Sequence, residues 1–422
     1  MKVLMFGWEF PPHNSGGLGV ACKGVVDSLC SQGTAVTFVL PKKVVTEFSK
    51  NKVVFADNSQ DLLNTKGVDV MLMPYITSES YEEELGKVGK KTKKKKRKKG
   101  EKRSLNYAGT LLGEVYRYGE LAGDVAETEE HDIIHAHDWL SFEAGIAAKE
   151  VSGKPLVAHV HATEFDRSGE RVNQDIYNIE RRGMYMADRV VAVSNFTKNI
   201  LINRYGVPEG KITVVHNGIN ENDYMSVLED SPASVVSGLK SHGYKIVLFV
   251  GRITFQKGPD YFVKMAKKIR EYEPNTFFVV CGSGDMEKQM IHEVAAARMS
   301  DRFIFAGFLR GESLNTVYKA ADIYIMPSVS EPFGLTPLEA MIQDTPVLIS
   351  HQTGVSEVVS HALKANFWDV DDMASKVISV LRNPSLQQCL KNNGRTEVSR
   401  MNWNLAGEKL LSLYKNLLAR QL

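Results

Sequence analysis

Two basic and two acidic residues in the second half of the chain have a spacing that could serve chemistry on a diphosphate. Arg252 follows directly after the apolar run 245–251, and Lys257 lies five residues further on. Two cations at the end of one strand suit a diphosphate, although two ordinary surface charges would look the same in the sequence. Glu331 precedes a glycine turn, and Glu339 lies eight residues after it.

Glu339 also has a purely structural interpretation. Thr336, Pro337 and Glu339 have the spacing of an N-cap, an N1 residue and an N3 residue, so they predict a capping box at the start of a helix. That interpretation leaves Glu331 unexplained, since this acid lies just before the turn. We therefore expect Glu331 to lie at the mouth of a cleft.

Backbone amides next to glycines offer a second way to bind an anion. Gly16 and Gly17 open a helical stretch after the first apolar run, although a glycine pair is more often only a tight turn. Gly334 and Leu335 stand at the start of another predicted helix, where their amides and the helix dipole favour a negative ligand.

Histidines end two further apolar runs. His135, His137 and Asp138 end one of them, and His159 and His161 end the next. Such a group could bind a metal, but side chains two residues apart on a strand share a face, so only some of them can reach a cleft. We therefore favour core histidines and a contact with sugar, and we predict that no metal is bound.

Strands and helices must bring these residues together. Short apolar runs alternate with amphipathic stretches twice along the chain, which predicts parallel sheets covered on both faces. Ligands of such sheets bind beyond the carboxyl ends of the strands. We predict an α/β fold with two Rossmann-like domains facing across a cleft. The predicted divisions are a first domain at 1–225, a linker at 226–241, a second domain at 242–402 and a terminal helix at 403–422.

The composition excludes several classes of protein. The chain has 422 residues, of which 43% are hydrophobic and 24% charged, as in ordinary globular proteins and unlike disordered or collagen-like chains. The four cysteines form no C-x-x-C pair, which favours reduced core residues. No apolar run reaches the 18 or so residues that span a bilayer. We expect a soluble, cytoplasmic protein.

The charge is concentrated in one insert. Residues 87–103 contain twelve Lys or Arg and one Glu, so the net charge of +2 conceals a mildly acidic remainder. The insert is interpreted as a solvated loop whose charges repel each other. Contact with an acidic membrane is the less favoured alternative, and nucleic acid is not an expected partner, because no aromatic residues are interleaved for base stacking.

Taken together, the motifs resemble retaining glycosyltransferases with the GT-B fold, in or near glycosyltransferase family 4. The stretches MKVLMFGWEFPP, HAHDW and HVHATEFDRSGE resemble those of bacterial and archaeal glycogen synthases. Asn14 departs from this pattern, since most glycogen synthases carry lysine at that position. The residues that match family motifs are Gly16 and Gly17 of the glycine loop, the donor-site histidine His161, the basic pair Arg252 and Lys257, and the E-x7-E pair Glu331 and Glu339.

The resemblance implies roles for the second domain, which would bind the nucleotide sugar. Arg252 and Lys257 would neutralise the diphosphate of the donor and stabilise it as it leaves. Glu339 would hold the ribose hydroxyls, and Glu331 would lie beside the transferred sugar.

The resemblance also implies roles at the other edge of the cleft. Gly334 and Leu335 would lie near the sugar, and His161 would contact it near its C6 end. Asp138 would lie where the acceptor or the sugar binds in the first domain, which is the acceptor side. The helix beyond Trp403 would cross back onto that domain.

The activity implied is that of a hexosyltransferase. Its leading form elongates an α-1,4-glucan from UDP-glucose or ADP-glucose, without a cofactor. The D-x-D triplet at 369–371 is interpreted as helix capping instead of metal binding. Two alternatives stay open. One is a transferase of the same fold acting on a sugar phosphate or a surface glycolipid, and the other is an inactive carbohydrate-binding protein.

Overall fold

The computed structural model describes residues 1–11, 16–41, 63–68, 110–224 and 233–420. Asn14 and the basic insert at 87–103 lie outside these residues. Among the residues described, no helix combines the length and apolar character that crossing a bilayer needs.

The first domain is built on a parallel sheet of seven strands. Its order is β3-β2-β1-β4-β5-β6-β7. The strands are β1 Lys2–Phe6, β2 Ala35–Pro41, β3 Leu63–Val68, β4 Ile133–His137, β5 Leu156–Val160, β6 Arg189–Ala192 and β7 Ile212–Val214. The helices are α1 Gly17–Ser31, α2 Leu111–Thr128, α3 Trp139–Ser152, α4 Glu164–Ser168, α5 Gln174–Met186 and α6 Asn195–Tyr205. All residues of β4 and β5 are buried, as expected for strands covered on both faces.

The second domain repeats this plan with a parallel sheet of six strands. Its order is β10-β9-β8-β11-β12-β13. The strands are β8 Lys245–Val250, β9 Thr276–Cys281, β10 Phe303–Gly307, β11 Ile323–Met326, β12 Val347–Ser350 and β13 Leu363–Ala365. The helices are α7 Ala233–Ser241, α8 Pro259–Tyr272, α9 Glu287–Ala296, α10 Glu312–Ala320, α11 Thr336–Ile342, α12 Val370–Arg382 and α13 Pro384–Val398. The predicted fold of two Rossmann-like domains is confirmed.

The predicted linker at 226–241 is partly wrong. Residues 233–241 form helix α7, which packs against α10. Val236 of this helix is buried in the core of the second domain, so burial of apolar side chains overrides the turn-forming serines of the segment. Strands β3 and β13 were not predicted either, because neither segment has a continuous apolar run.

The last helix, α14 Trp403–Leu418, crosses back onto the first domain as predicted. Leu410 and Tyr414 are fully buried in the core of that domain. The Tyr414 hydroxyl lies 2.5 Å from Nδ1 of His135 on β4. Gly24 on α1 makes room for the helix, since a Cβ atom there would lie 2.2 Å from the Trp403 ring.

Candidate active site

The carboxyl ends of both sheets open into one cleft of about 1560 Å³. Its walls come from both domains, as expected where two such sheets face each other. All ten of the site residues predicted from the sequence line it. They are Gly16, Gly17, Asp138, His161, Arg252, Lys257, Glu331, Gly334, Leu335 and Glu339.

Lys257 and Glu331 form an ion pair inside this cleft. Their side chains retain only 15% and 11% of their exposure. Lys257 ends a short 3-10 turn, and the next residue, Gly258, has a φ of 66°. A Cβ atom at Gly258 would lie 2.2 Å from the Pro327 carbonyl oxygen, so only glycine lets the Lys257 turn approach the strand end that leads to Glu331.

Arg252 lines the same end of the second sheet, just beyond β8. The ends of β8 and β9 approach closely there, because a Cβ atom at Gly282 would lie 1.9 Å from the Gly251 carbonyl oxygen. The guanidinium of Arg252 and the ammonium of Lys257 therefore come from one strand end, as the sequence spacing predicted.

The predicted capping box at the start of α11 is wrong. Helix α11 begins at Thr336, its N-cap is Leu335, and no side chain caps it. The Thr336 hydroxyl instead lies 2.8 Å from the Tyr324 hydroxyl. A tertiary hydrogen bond therefore replaces the helix cap that the local sequence predicted for Thr336.

Glu339 is held by two tyrosines and not by the end of its own helix. Its carboxylate accepts hydrogen bonds from the Tyr318 hydroxyl at 3.0 Å and from the Tyr224 hydroxyl at 3.1 Å. Burial raises the pKa of Glu339, and these two hydrogen bonds oppose that shift. The arrangement fixes the carboxylate at the wall of the cleft, where it can accept hydrogen bonds from a polyol.

Asp138 holds the turn that carries His161. Asp138 has a φ of 59°, a strained conformation for a residue other than glycine. Its Oδ1 atom accepts hydrogen bonds from the backbone amides of His161 at 2.6 Å and Ala162 at 3.3 Å. Burial raises the pKa of Asp138 to about 7, while the two amide hydrogen bonds lower it.

The histidines of β4 and β5 form a buried stack behind His161. Burial, with a contribution from His161, lowers the pKa of His135 to about 3, and burial lowers the pKa of His161 to about 3. The rings are therefore neutral at pH 7. Among the residues that the structure describes, two groups have ligand atoms within 4.8 Å of one another and could hold a metal ion. They are Cys22, His137 and His161, and His135, His137 and His159.

The D-x-D triplet lies at the N-terminus of helix α12, as interpreted from the sequence. Asp369 is the N-cap of α12, and its Oδ1 atom accepts a hydrogen bond from the Asp372 amide at 3.0 Å. Asp371 pairs with Lys268 on the outer surface. Neither aspartate lines the cleft.

Glu9 is among the lining residues that the sequence did not single out. Glu9 is buried, and its Oε2 atom accepts a hydrogen bond from the Gly19 amide at 3.0 Å, at the start of α1. A Cβ atom at Gly16 would lie 2.9 Å from the same oxygen. Arg167 is another lining residue that the sequence did not single out. The position of Glu9 after β1 was a signal for it, since polar residues at the carboxyl ends of strands face ligands.

Family models divide the chain in the same way as the two sheets. The model described as Glycosyltransferase Family 4 matches residues 63–223. The model described as Glycosyl transferases group 1 matches residues 231–397.

Three curated relatives are similar to the chain over most of its length. An uncharacterised glycosyltransferase of Methanocaldococcus jannaschii is 28% identical over 98% of both chains. A glycogen synthase of Mycobacterium tuberculosis is 25% identical over 92% of this chain and 88% of its own length. A D-inositol 3-phosphate glycosyltransferase of Salinispora arenicola is 30% identical over 70% of this chain and 71% of its own.

Solved structures share the fold. The sucrose-phosphate synthase of Thermosynechococcus elongatus has a TM-score of 0.75 at 21% identity and matches 99% of both chains. The Anabaena protein HepE, solved with UDP and glucose, has a TM-score of 0.69 at 17% identity and matches 99% of this chain and all of that one. The two facing parallel sheets have the GT-B fold. The family models and the relatives identify the chain as a glycosyltransferase. The chain belongs to the group that joins a glycosyltransferase family 4 domain to a group 1 domain.

Proposed function

We propose that this protein elongates an uncharged α-1,4-glucan by transferring glucose from UDP-glucose or ADP-glucose, with retention of the anomeric configuration. The observation that carries the proposal is the distribution of charge across the cleft. The second domain lines the cleft with Arg252 and with Lys257, whose partner Glu331 lies in the same cleft. The cations that line it from the described part of the first domain, Lys23 and Arg167, are paired with carboxylates of their own domain.

The second domain is suited to the donor. When the bond between the anomeric carbon and the diphosphate breaks, negative charge builds on the leaving diphosphate. Arg252 and Lys257 are placed to take up that charge without a metal, and preorganised donors of this kind contribute most when water is excluded. Glu339, held by its two tyrosines, is suited to the ribose hydroxyls.

The binding roles of the other residues follow from the same placement. Glu331 lies beside Lys257 and borders the space for the sugar. His161 borders it from the first domain, and its neutral ring can exchange hydrogen bonds with a hydroxyl. Gly334 and Leu335 contribute backbone amides, and Gly16 and Gly17 let the donor approach the first domain closely.

The first domain is suited to an uncharged acceptor. Lys23 pairs with Asp27 on α1, and the Arg167 guanidinium is engaged by the carboxylates of Glu164 and Glu180. Within the part of the chain that the structure describes, the first domain therefore offers no unpaired cation to the cleft for an acceptor phosphate. Carboxylates such as Asp138 are good acceptors for the hydroxyl groups of a glucan.

The glycogen synthase relative supports this acceptor, and the inositol 3-phosphate relative supports a phosphorylated one. The distribution of charge favours the glucan. A phosphate at the first domain would have to compete with Asp27 for Lys23 and with Glu164 and Glu180 for Arg167, which opposes its binding.

The test is a matrix of donors against acceptors. UDP-glucose and ADP-glucose are each incubated with glycogen, maltooligosaccharides, inositol phosphate and hexose phosphates, and release of nucleoside diphosphate and the anomer of the product are measured. We expect glycogen and maltooligosaccharides to be extended with α-linkages. Transfer only to phosphorylated acceptors would refute the glucan assignment, and the absence of any release would refute glucose transfer from these two donors.

A further inference from the structure

The loop that carries Glu331 forms hydrogen bonds with the first domain on both sides of this residue. Before it, the Ser330 hydroxyl donates a hydrogen bond of 2.6 Å to Oδ1 of Asp166. After it, the Pro332 carbonyl oxygen accepts hydrogen bonds from the hydroxyls of Ser194 at 2.6 Å and Thr197 at 3.3 Å. Asp166, Ser194 and Thr197 all belong to the first domain.

Asp166 also belongs to the turn that carries His161. Its Oδ2 atom accepts hydrogen bonds from the Thr163 amide and hydroxyl, both at 2.8 Å, which closes a capping box at the start of α4. Asp138 holds the preceding amides of that turn. The backbone that follows His161 is therefore joined through Thr163 and Asp166 to Ser330, the residue next to Glu331.

Gly354 packs so closely against Ser194 that only glycine fits at position 354. A Cβ atom at Gly354 would lie 2.6 Å from Cβ of Ser194 and 2.1 Å from the Pro332 carbonyl oxygen. The Gly354 amide donates a hydrogen bond of 2.9 Å to the Glu331 carbonyl oxygen. Packing at the start of α6 thus bears directly on the backbone of Glu331.

Glu357 fixes the same helix from the second domain. Its carboxylate accepts hydrogen bonds from the backbone amides of Asn195 at 2.9 Å and Phe196 at 2.6 Å. A carboxylate at a helix N-terminus is favoured by the unpaired amides and the helix dipole. The two domains are therefore joined at the start of α6 in addition to the contact at Asp166.

We propose that Asp166 and Ser194 are positioning residues, which dock the Glu331 loop onto the first domain and set Glu331 in register with His161. The inference rests on the proposed function, in which Glu331 and His161 border the transferred sugar. Nucleotide binding needs only the second domain, whereas transfer needs both edges of the cleft at once. Loss of the docking should therefore lower kcat and leave nucleotide affinity unchanged.

Ser330→Ala is the sharpest test, because the described contact of its hydroxyl is with Asp166. A hydrogen bond to a charged group supports a loss in kcat of about tenfold or more. We expect that loss, unchanged affinity for UDP and ADP by calorimetry, and recovery in Ser330→Thr. Ser356→Ala is the matched control, since the described hydrogen bonds of the Ser356 hydroxyl, at 2.6 Å to the Thr353 carbonyl oxygen and 3.4 Å to the His351 carbonyl oxygen, both lie within the second domain.

A double-mutant cycle distinguishes positioning from a general structural role. If Ser330 acts through Glu331, then Ser330→Ala has little further effect on kcat in a Glu331→Gln background. An equal loss in both backgrounds, or an unchanged kcat in the single variant, would overturn the proposal.

Small-angle scattering tests the docking without activity. Because Ser330→Ala alone leaves the contacts at Ser194 and Glu357 in place, we expect a larger radius of gyration for the triple variant Ser330→Ala/Ser194→Ala/Glu357→Ala than for Ser356→Ala, and equal radii would overturn the docking. A wild-type protein that releases no nucleoside diphosphate would refute the proposed function alone. An active wild type with a fully active Ser330→Ala variant would refute the positioning role alone.

Discussion

Replacing Lys257 with methionine should lower both the free energy of unfolding and kcat, and a second substitution at Glu331 should then restore only the stability. In the free protein, the ammonium of Lys257 neutralises Glu331, and both side chains are almost enclosed. In the proposed reaction, the same ammonium neutralises the leaving diphosphate. Methionine keeps an unbranched side chain that is one atom shorter, and it removes both the charge and the three N–H donors.

The expected loss of stability follows from the burial of the pair. Removing one partner of a buried ion pair costs about 3–5 kcal/mol, and the lower end applies here because 15% and 11% of the two side chains remain exposed. We therefore expect a decrease of about 3 kcal/mol in the free energy of unfolding, measured by urea denaturation.

The expected loss of activity is larger than that of a surface charge. Removal of one preorganised donor to a developing anion typically lowers kcat by about 10²–10³-fold. Nucleoside diphosphate release at saturating donor and acceptor measures this directly. Lys264→Met is the matched control, because Lys264 pairs with Asp260 at the surface and its side chain is 59% exposed, so little change is expected.

The double variant Lys257→Met/Glu331→Gln completes the test. It leaves no unpaired charge, so most of the lost stability should return, while transfer stays low because the diphosphate still lacks its cation. Wild-type kcat in Lys257→Met would refute the diphosphate assignment. Unchanged stability in the single variant would refute the enclosed ion pair.

Three further predictions concern the walls of the cleft. Tyr224→Phe combined with Tyr318→Phe removes both donors to Glu339, so KM for the donor should rise about tenfold, and an unchanged KM would place the ribose elsewhere. Burial lowers the pKa of His135 to about 3, whereas the unfolded chain keeps the ordinary value of about 6.5. Between these two pH values the unfolded chain binds more protons than the folded one, so stability is lost as the pH falls from 6.5 towards 3. His135→Gln should reduce this loss by about 1.4 kcal/mol per pH unit, and urea midpoints that keep the wild-type slope would contradict it. EDTA should leave transfer unchanged, and strong inhibition that added zinc reverses would assign a metal to the histidine stack.

The strands and the residues at their ends could be predicted from the sequence, because both depend on local patterns. The continuous apolar run of β8 specifies a strand buried on both faces, and Arg252 and Lys257 follow it in the chain. The apolar face of α14 likewise indicated a partner surface, which the first domain supplies. All ten predicted site residues line the cleft for the same reason: strand ends in parallel sheets converge at one edge.

Tertiary structure decided the partners of those residues. Local spacing assigned Glu339 to a helix cap, but its partners are Tyr318 and Tyr224, which are 21 and 115 residues away. Asp166 and Ser330 are 164 residues apart and come from different domains. No local pattern encodes such contacts, because they depend on how two separately folded sheets pack against each other. The sequence by itself therefore determined which groups reach the cleft, and only the packing of the two domains determined which charges are neutralised within it.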